Sequence, residues 1–482
     1  MTDSLELTTD VLVIGGGPAA TWAALKAAQA GADVVLADKG YCGTSGAAAS
    51  AGTGIWYVHP DPVEREKAMA SREALGGYLA DRRWMARVLD QTYDGVNELA
   101  TAGRYPFPVV DGRPLRRGVQ GPEYMRRMRI MVRRAGVRIL DHSPVTELLT
   151  AADGSVAGAA GHRLQADEPY RVRAGAVVLA TGGCAFLSGT LGCHVNTGDG
   201  HLMAAELGAE LSGMEFSNAY AIAPEFTSLT KTAYYSYATF YREDGSVLEG
   251  AGSQRGRSVI ARTLLREKVY CVLDRADAAT QAKMRLGQPN FFLTFDRLGI
   301  DPFTQRFPIT LLLEGTVRGT GGIRVVSDDC ATSVPGLSVA GDAATRELIC
   351  GGFPGGGSHT AIALGSLTCA NPPTCSTWTL SQQGLSSGAA VHGRFMQADP
   401  NATGMVLIDC VVMNGQCPSP ITNEFNIDSH FEDGVNLYQY LGSSSLTKAD
   451  PLGLYDLDDF EEDLMGIDFG LVPGPSDFIT GG

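Results

Sequence analysis

The sequence predicts an α/β fold. A Rossmann-like domain with a central parallel sheet is followed by an irregular or disordered acidic tail. Three observations carry this expectation. Residues 10–38 spell a complete strand–helix–strand unit, the segment Gly175–Gly183 adds a second buried strand ending in glycines, and the text turns polar and low in apolar periodicity after about residue 370. The length of 482 residues, with 44% hydrophobic and 19% charged residues, is enough for two or three domains with sizeable cores.

The first unit is the most explicit. Asp10-Val-Leu-Val-Ile-Gly15 is a short β-branched apolar run closed by glycines, the pattern of a buried strand. Gly15-Gly16-Gly17-Pro18-Ala19-Ala20 gives the spacing G-x-G-x-x-A, an Ala-rich helix follows over Thr21–Gln29, and Ala32–Asp38 is a second strand ending in a carboxylate. In such a unit Gly15 permits the tight turn, Gly17 lets the backbone approach a pyrophosphate, and Ala20 lets helix and strand pack closely. The helix N-terminus attracts the phosphates, and Asp38 stands where a ribose hydroxyl would be bound. Gly43–Gly54 is small-residue text suited to lie against a flat cofactor, with a flexible linker as the bland alternative. Residues 62–103 read as amphipathic helix. Val137–His142, Val145–Leu149 and Val156–Gly161 read as strands, the last two joined by an Asp153-Gly154 turn. Gly175–Gly183 then ends in Ala180-Thr181-Gly182-Gly183.

With these pieces in place the chain resembles the FAD-dependent flavoproteins of the fumarate reductase and succinate dehydrogenase type. The resemblance rests on seven segments in the family's order. They are Val13-Ile-Gly-Gly-Gly-Pro-Ala, the Ala180-Thr-Gly-Gly turn, Asn196-Thr-Gly-Asp-Gly-His, Met214-Glu-Phe, Arg257-Ser-Val-Ile-Ala-Arg, Gly321-Gly-Ile-Arg-Val and Pro335-Gly-Leu-Ser-Val-Ala-Gly-Asp342. Together they span about residues 9–368. The resemblance implies a discontinuous FAD-binding domain over residues 1–200 and 315–370, interrupted by an α+β capping domain over 201–314. It implies FAD contacts from Gly15, Gly17, Pro18, Ala19, Ala20, Asp38, Lys39, Ser45, Gly46, Val145, Ala180, Thr181, Gly182, Asp199, Gly341, Asp342 and Ser358. Asp342 is expected near the ribityl or pyrophosphate part of FAD. The glycine run Gly351–His359 is expected to precede a helix facing the flavin's pyrimidine end, with a plain flexible loop as the alternative. Some members attach FAD to a histidine in the loop after the second strand. Here that position reads Ser45-Gly46-Ala47, so FAD is expected to bind non-covalently.

The implied function is an FAD-dependent oxidoreductase that moves a hydride between flavin N5 and a small, anionic organic substrate. Arg257 matches the family's proton-handling arginine, and a guanidinium also suits a carboxylate; a surface ion-pair role is its alternative. The family's His-Pro pair is replaced by Glu215-Phe-Ser-Asn-Ala-Tyr-Ala-Ile-Ala-Pro224, and its histidine before Gly-Gly-Ile by Val317-Arg318-Gly319-Thr320. The arginine expected near Gly351 is missing as well. These losses argue against a C4-dicarboxylate, and Arg318 and His359 become candidate anion contacts in their place. Electrons would pass to a separate subunit or carrier, a quinone or oxygen. A degraded member that binds flavin without turnover is the competing reading.

The remaining observations bound the class. The net charge of −15 and the lack of a basic stripe exclude nucleic acid as the expected partner. No apolar run of membrane-spanning length occurs, the N-terminus has no apolar signal-like core, and no CxxC pair is present among the ten cysteines. A cytoplasmic location with free thiols and no metal site is expected. Residues 371–482 do not continue the flavoprotein. Asp433–Leu454 resembles the core motif that closes RHS/YD-repeat shell proteins, and a lone motif without repeats cannot build such a shell, so a fusion product is a further alternative.

Overall fold

The computed structural model describes residues 4–351 except 111, 217–219, 231, 254–255 and 314–320, together with three backbone strands between residues 392 and 424. The chain opens with β1 (Leu5–Ile14), α1 (Pro18–Gln29) and β2 (Val34–Ala37). Helices α2 (Pro62–Leu75), α3 (Arg82–Thr101) and α4 (Gly121–Arg134) follow. Then come β3 (Arg138–Leu140), β4 (Val145–Thr150), β5 (Val156–Arg163) and β6 (Glu168–Leu179). The six strands lie side by side in the order β3-β2-β1-β6-β5-β4.

Strand β6 explains how one sheet serves two environments. Its first half alternates buried and exposed residues and pairs antiparallel with β5, from Glu168↔Arg163 to Arg173↔Gly158. Its second half, Val177–Leu179, is continuously buried and lies between parallel neighbours, β1 on one side and Leu337–Val339 on the other. Alternation suits an antiparallel ribbon with one wet face, and continuous apolar text suits a parallel sheet covered on both faces. The pairing also corrects the predicted strand starts. β1 begins at Leu5 rather than Asp10, because Leu5–Thr9 pair with Tyr170–Ala174.

Helix α1 covers this sheet. Its alanines allow close approach, and the fully buried Trp22 donates its indole N–H to Tyr124 Oη on α4 at 2.7 Å. The predicted helical stretch 62–103 is two helices. The break falls at Gly76-Gly77, where a methyl on Gly76 would stand 2.2 Å from the Cys350 carbonyl oxygen, and Asp81 caps α3 by accepting from the Arg83 N–H. The hairpin at Asp153-Gly154 forms as expected, with Gly154 in the left-handed region and Asp153 accepting from the Ser155 N–H at 3.0 Å.

After α5 (Asp199–Glu206) the chain builds a second sheet from β7 (Tyr220–Pro224), β8 (Thr239–Tyr241), β9 (Val269–Val272) and β10 (Phe307–Leu313), antiparallel in the order β7-β10-β9-β8. Helices α6 (Arg257–Leu264), α7 (Ala278–Gly287) and α8 (Pro289–Leu298) accompany it. Its core is separate from that of the first sheet and is aromatic: Tyr234, Phe291, Phe292, Phe295 and Phe307 interlock, with Phe295 and Phe307 edge to face at 4.8 Å. The chain then returns to the first sheet as β11 (Leu337–Val339) beside β6. Of the tail, the described residues are the backbone strands His392–Ala398, Met405–Val411 and Ile421–Glu424, which pair antiparallel. The motif Asp433–Leu454 lies outside the described residues. Among the described residues no helix is long and apolar enough to cross a membrane.

The Trp22–Tyr124 bond gives a direct test of the α1–α4 contact. Tyr124→Phe leaves a buried indole N–H without its acceptor and should lower unfolding stability by about 1–3 kcal/mol in a urea melt.

Candidate functional site

The carboxyl ends of β1, β2 and β6 meet the start of α1. Gly15 has φ +122° and donates its N–H to the Ala37 carbonyl at 2.8 Å. A methyl there would lie 2.4 Å from the Ala180 carbonyl oxygen, so the β1 end and the β6 end touch backbone to backbone. Ala180 returns its own N–H to Ile14 O at 2.9 Å. Gly17 is the N-cap of α1 with extended backbone, Pro18 starts the helix, and the first turn holds neither a side-chain cap nor an acidic residue. The free N–H groups and positive end of α1 are thus open to an anion. Ala19 and Ala20 are buried behind them.

Asp38 stands at the end of β2, 3% exposed. Its carboxylate occupies the space over Gly16, where a methyl would be 2.0 Å from Oδ2. It accepts from the Ser45 hydroxyl and from the Gly40 N–H at 3.3 Å. Burial pushes this carboxyl above its ordinary range, against the pull of those two donors. Gly46, in the left-handed half of the map at φ +85°, lies against Gly17, with a methyl on it only 3.1 Å from Gly17 Cα. Two bare backbones therefore flank the helix start.

The third wall comes from the segment after β6. Thr181 Oγ1 is buried without a hydrogen-bond partner, and Gly200 lies directly beneath it, where a methyl would be 2.0 Å away. Gly182 is in the left-handed region at φ +77°. Lys39 Nζ meets Asp199 Oδ2 at 3.1 Å and Thr197 Oγ1 at 2.7 Å on the exposed rim. Burial of Asp199 works upward on its carboxyl, but bonds from Thr197 and Lys39 hold it below the usual value. Val145 is half-buried at the head of β4. The turn Gly341–Ala343, with Gly341 at φ +70°, packs on α1.

Most of the sequence-predicted cofactor residues are thus brought together. Arg257 is not among them: it opens α6, after Gly256 in the left-handed region, and belongs to the second core's elements. Arg318, Ser358 and His359 lie outside the described residues. The sequence reading overlooked Gly16, Gly200, His201 and Arg346. Arg346 had a visible signal, since it stands four residues after Asp342 at helical ion-pair spacing. Gly16 and Gly200 had none, because each is defined by a side chain arriving from elsewhere in the fold.

Residues 10–112 and 100–225 match the FAD binding domain family. The chain is 27% identical over 373 residues to the L-aspartate oxidase of Streptomyces coelicolor, covering 70% of this chain and 63% of that protein. It is 31% identical over 241 residues to a probable fumarate reductase of Shewanella frigidimarina, covering 44% and 41%. A solved E. coli quinol fumarate reductase chain shares its fold at TM-score 0.63 with 19% identity, covering 76% of this chain and 70% of that one. The chain thus carries a match to the FAD binding domain family, and its relatives and structural neighbours are flavoproteins of the fumarate reductase and succinate dehydrogenase type. It spans less than two thirds of the length of the two curated relatives.

The site fits FAD, the cofactor named by the matching domain family. The uncapped start of α1 suits the pyrophosphate, the buried Asp38 suits hydroxyl donors, and the orphaned Thr181 hydroxyl gains a partner from a bound group. Asp38 also sets a prediction with opposite signs. A carboxyl raised in the folded state binds more protons there than in the unfolded chain. Its contribution to stability is therefore lost as pH rises from the ordinary carboxylate value through the folded one. Asp38→Asn should accordingly make the FAD-free protein more heat-stable than wild type at pH 8, with the gain vanishing toward pH 4. The same variant should weaken FAD binding about tenfold, read by flavin fluorescence.

Proposed function

We propose that this flavoprotein is an FAD-dependent oxidoreductase that transfers a hydride between flavin N5 and a small, anionic organic substrate. The observation that carries the reading is the glycine-lined start of α1 with a buried acid at the end of the neighbouring strand. When bound, FAD supplies the hydride donor and acceptor. The chain's own residues bind and orient it: Gly15, Gly17, Pro18, Ala19 and Ala20 present the α1 terminus to the pyrophosphate, and Asp38 accepts from the ribose. Ser45 holds Asp38 in place, and Gly46 adds open backbone. Lys39 and Asp199 would close the rim, Val145, Ala180, Thr181 and Gly182 would form the wall, and Gly341 and Asp342 would hold the ribityl part. Arg318, Ser358 and His359 stay candidates on sequence alone.

Arg257 carries the substrate role in this reading. It delivers or takes the proton on the carbon beside the hydride site, or holds the substrate's carboxylate with its planar donor fork. Its place at the start of α6, in the sheet domain between residues 201 and 314, supports a capping role for that domain and a discontinuous FAD domain around it. FAD is held non-covalently. The loop Ser45-Gly46-Ala47 offers no histidine, and Cys42 is completely buried with its thiol pushed up by burial to about 12, which keeps it a neutral, unreactive S–H.

Electrons pass to a separate carrier or a quinone, in keeping with the quinol fumarate reductase whose fold it shares. A cytoplasmic, thiol-reducing compartment suits a chain whose ten cysteines include no CxxC pair. The absence of the family's histidines favours a second reading, a flavin-binding protein without turnover.

The purified protein should show a flavin absorbance spectrum, and acid precipitation should leave the chromophore in the supernatant. A pellet that keeps the flavin would overturn non-covalent binding, and a colourless protein that refuses added FAD would overturn the oxidoreductase. With a substrate found among keto, enoyl and hydroxy acids, Arg257→Lys should lower kcat by about 100-fold with FAD affinity unchanged. No turnover across the panel, with FAD bound, would support the second reading.

A further inference from the structure

Arg346 is 0% exposed, and nothing in the proposed flavin contacts uses it. It lies just before the short helix Glu347–Cys350, and its Nη1 donates to Asp342 Oδ1 one turn earlier. The Asp342 side chain is 17% exposed, so the pair is a covered cation behind a partly open carboxylate. Other described groups lie nearby. From α5, His201 places Nε2 3.1 Å from the Ala343 carbonyl, and burial first of all holds its imidazole below the ordinary value, so it is a neutral donor. From the same short helix, burial pushes up the Cys350 thiol, and Arg72 on α2 faces that thiol. Glu347 turns away to accept from the Ser212 hydroxyl. Lys26, on the α1 face, is engaged by Glu98, and Arg83 and Arg87 of α3 by Asp328.

We infer that Arg346 is a positioning residue for FAD: by its charge and its hydrogen bond it keeps Asp342 an aimed carboxylate that accepts from the cofactor. The inference rests on the reading of Asp342 as an FAD contact. Burial raises the Asp342 carboxyl above its ordinary value, and the Arg346 guanidinium limits that rise. An ionised carboxylate is the stronger acceptor for a hydroxyl. Removing the positive charge while keeping a hydrogen-bonding side chain therefore makes FAD binding depend on the ionisation of Asp342.

The test measures FAD affinity of the full-length apoprotein by flavin fluorescence from pH 6 to 9, with circular dichroism and melting without FAD as the folding check. Wild type and R346K should give flat profiles. R346Q should bind FAD about tenfold more weakly at pH 6 and recover as pH rises and Asp342 ionises. The double variant R346Q/D342N should be weak and flat, which a merely structural loss would not produce from a sloping parent. A flat R346Q profile within about twofold of wild type overturns the inference, as does a slope that survives in the double variant. Should R346Q not fold, R346K decides: a flat profile supports the role of the charge, and weakening toward pH 6 overturns it. D342N binding FAD like wild type overturns the Asp342 contact beneath the inference, whereas wild type that takes up no FAD overturns the proposed function itself.

Discussion

The first sheet and the helix above it depend on one close approach, the contact of Gly15 with the Ala180 carbonyl where β1 and β6 end together. Two parallel strands can deliver their carboxyl ends to one point only if one of them has no side chain there. Given that contact, the chain must turn sharply at Gly15, and α1 starts immediately above the sheet edge. Its unpaired N–H groups then face the crevice where Asp38, Gly46 and Thr181 converge. A side chain at Gly15 would separate the strands, move the helix start and open the crevice. The same principle operates at Gly16 under Asp38 and at Gly200 under Thr181: each polar group occupies a space that a missing methyl leaves.

The two hydrophobic cores meet across a polar seam. The ribbon Gly52–Gly54 with Gly118–Gln120 belongs to the first body, and Gly287 and Gln288 to the second. The Gln120 amide donates to the Gly287 carbonyl, and the Gln288 amide lies over Gly52. A phenylalanine-rich core on one side and a larger core of mixed aliphatic and aromatic residues on the other each bury their own apolar surface. The contact between them is therefore free to be polar, as contacts between domains commonly are.

Charge is distributed by depth. The rim pair Lys39–Asp199 is solvated and adds little to stability. Arg129 is set deeper, with Nη1 and Nη2 on the two Asp141 oxygens at 2.8 and 2.7 Å, and ties α4 to the β3 end behind the Cys42 loop. Arg346 is covered completely, and a buried guanidinium without a counter-charge would cost several kcal/mol. That cost makes the Asp342–Arg346 pair a unit whose members cannot be changed independently.

How much of this was legible depends on the range of the interaction. The βαβ unit, the Asp153-Gly154 hairpin and the buried strand before Thr181 were readable because strand alternation, turn chemistry and glycine spacing are local. The start of β1 at Leu5 and the division of the 62–103 helix were not, since the first is set by pairing with β6 and the second by the Cys350 carbonyl against Gly76. The candidate cofactor residues were legible as a motif, but their supports were not. Arg257 could be named from its segment, while its place on the second core's elements came from the fold. The sequence by itself determined the nucleotide-type unit, its acid and its uncapped helix, because those follow from residues a few positions apart. Tertiary structure alone decided that Asp38 is sealed by Ser45 over Gly16, that Thr181 is left without a partner, and that Arg346 is buried, because burial is made by chain segments distant in sequence.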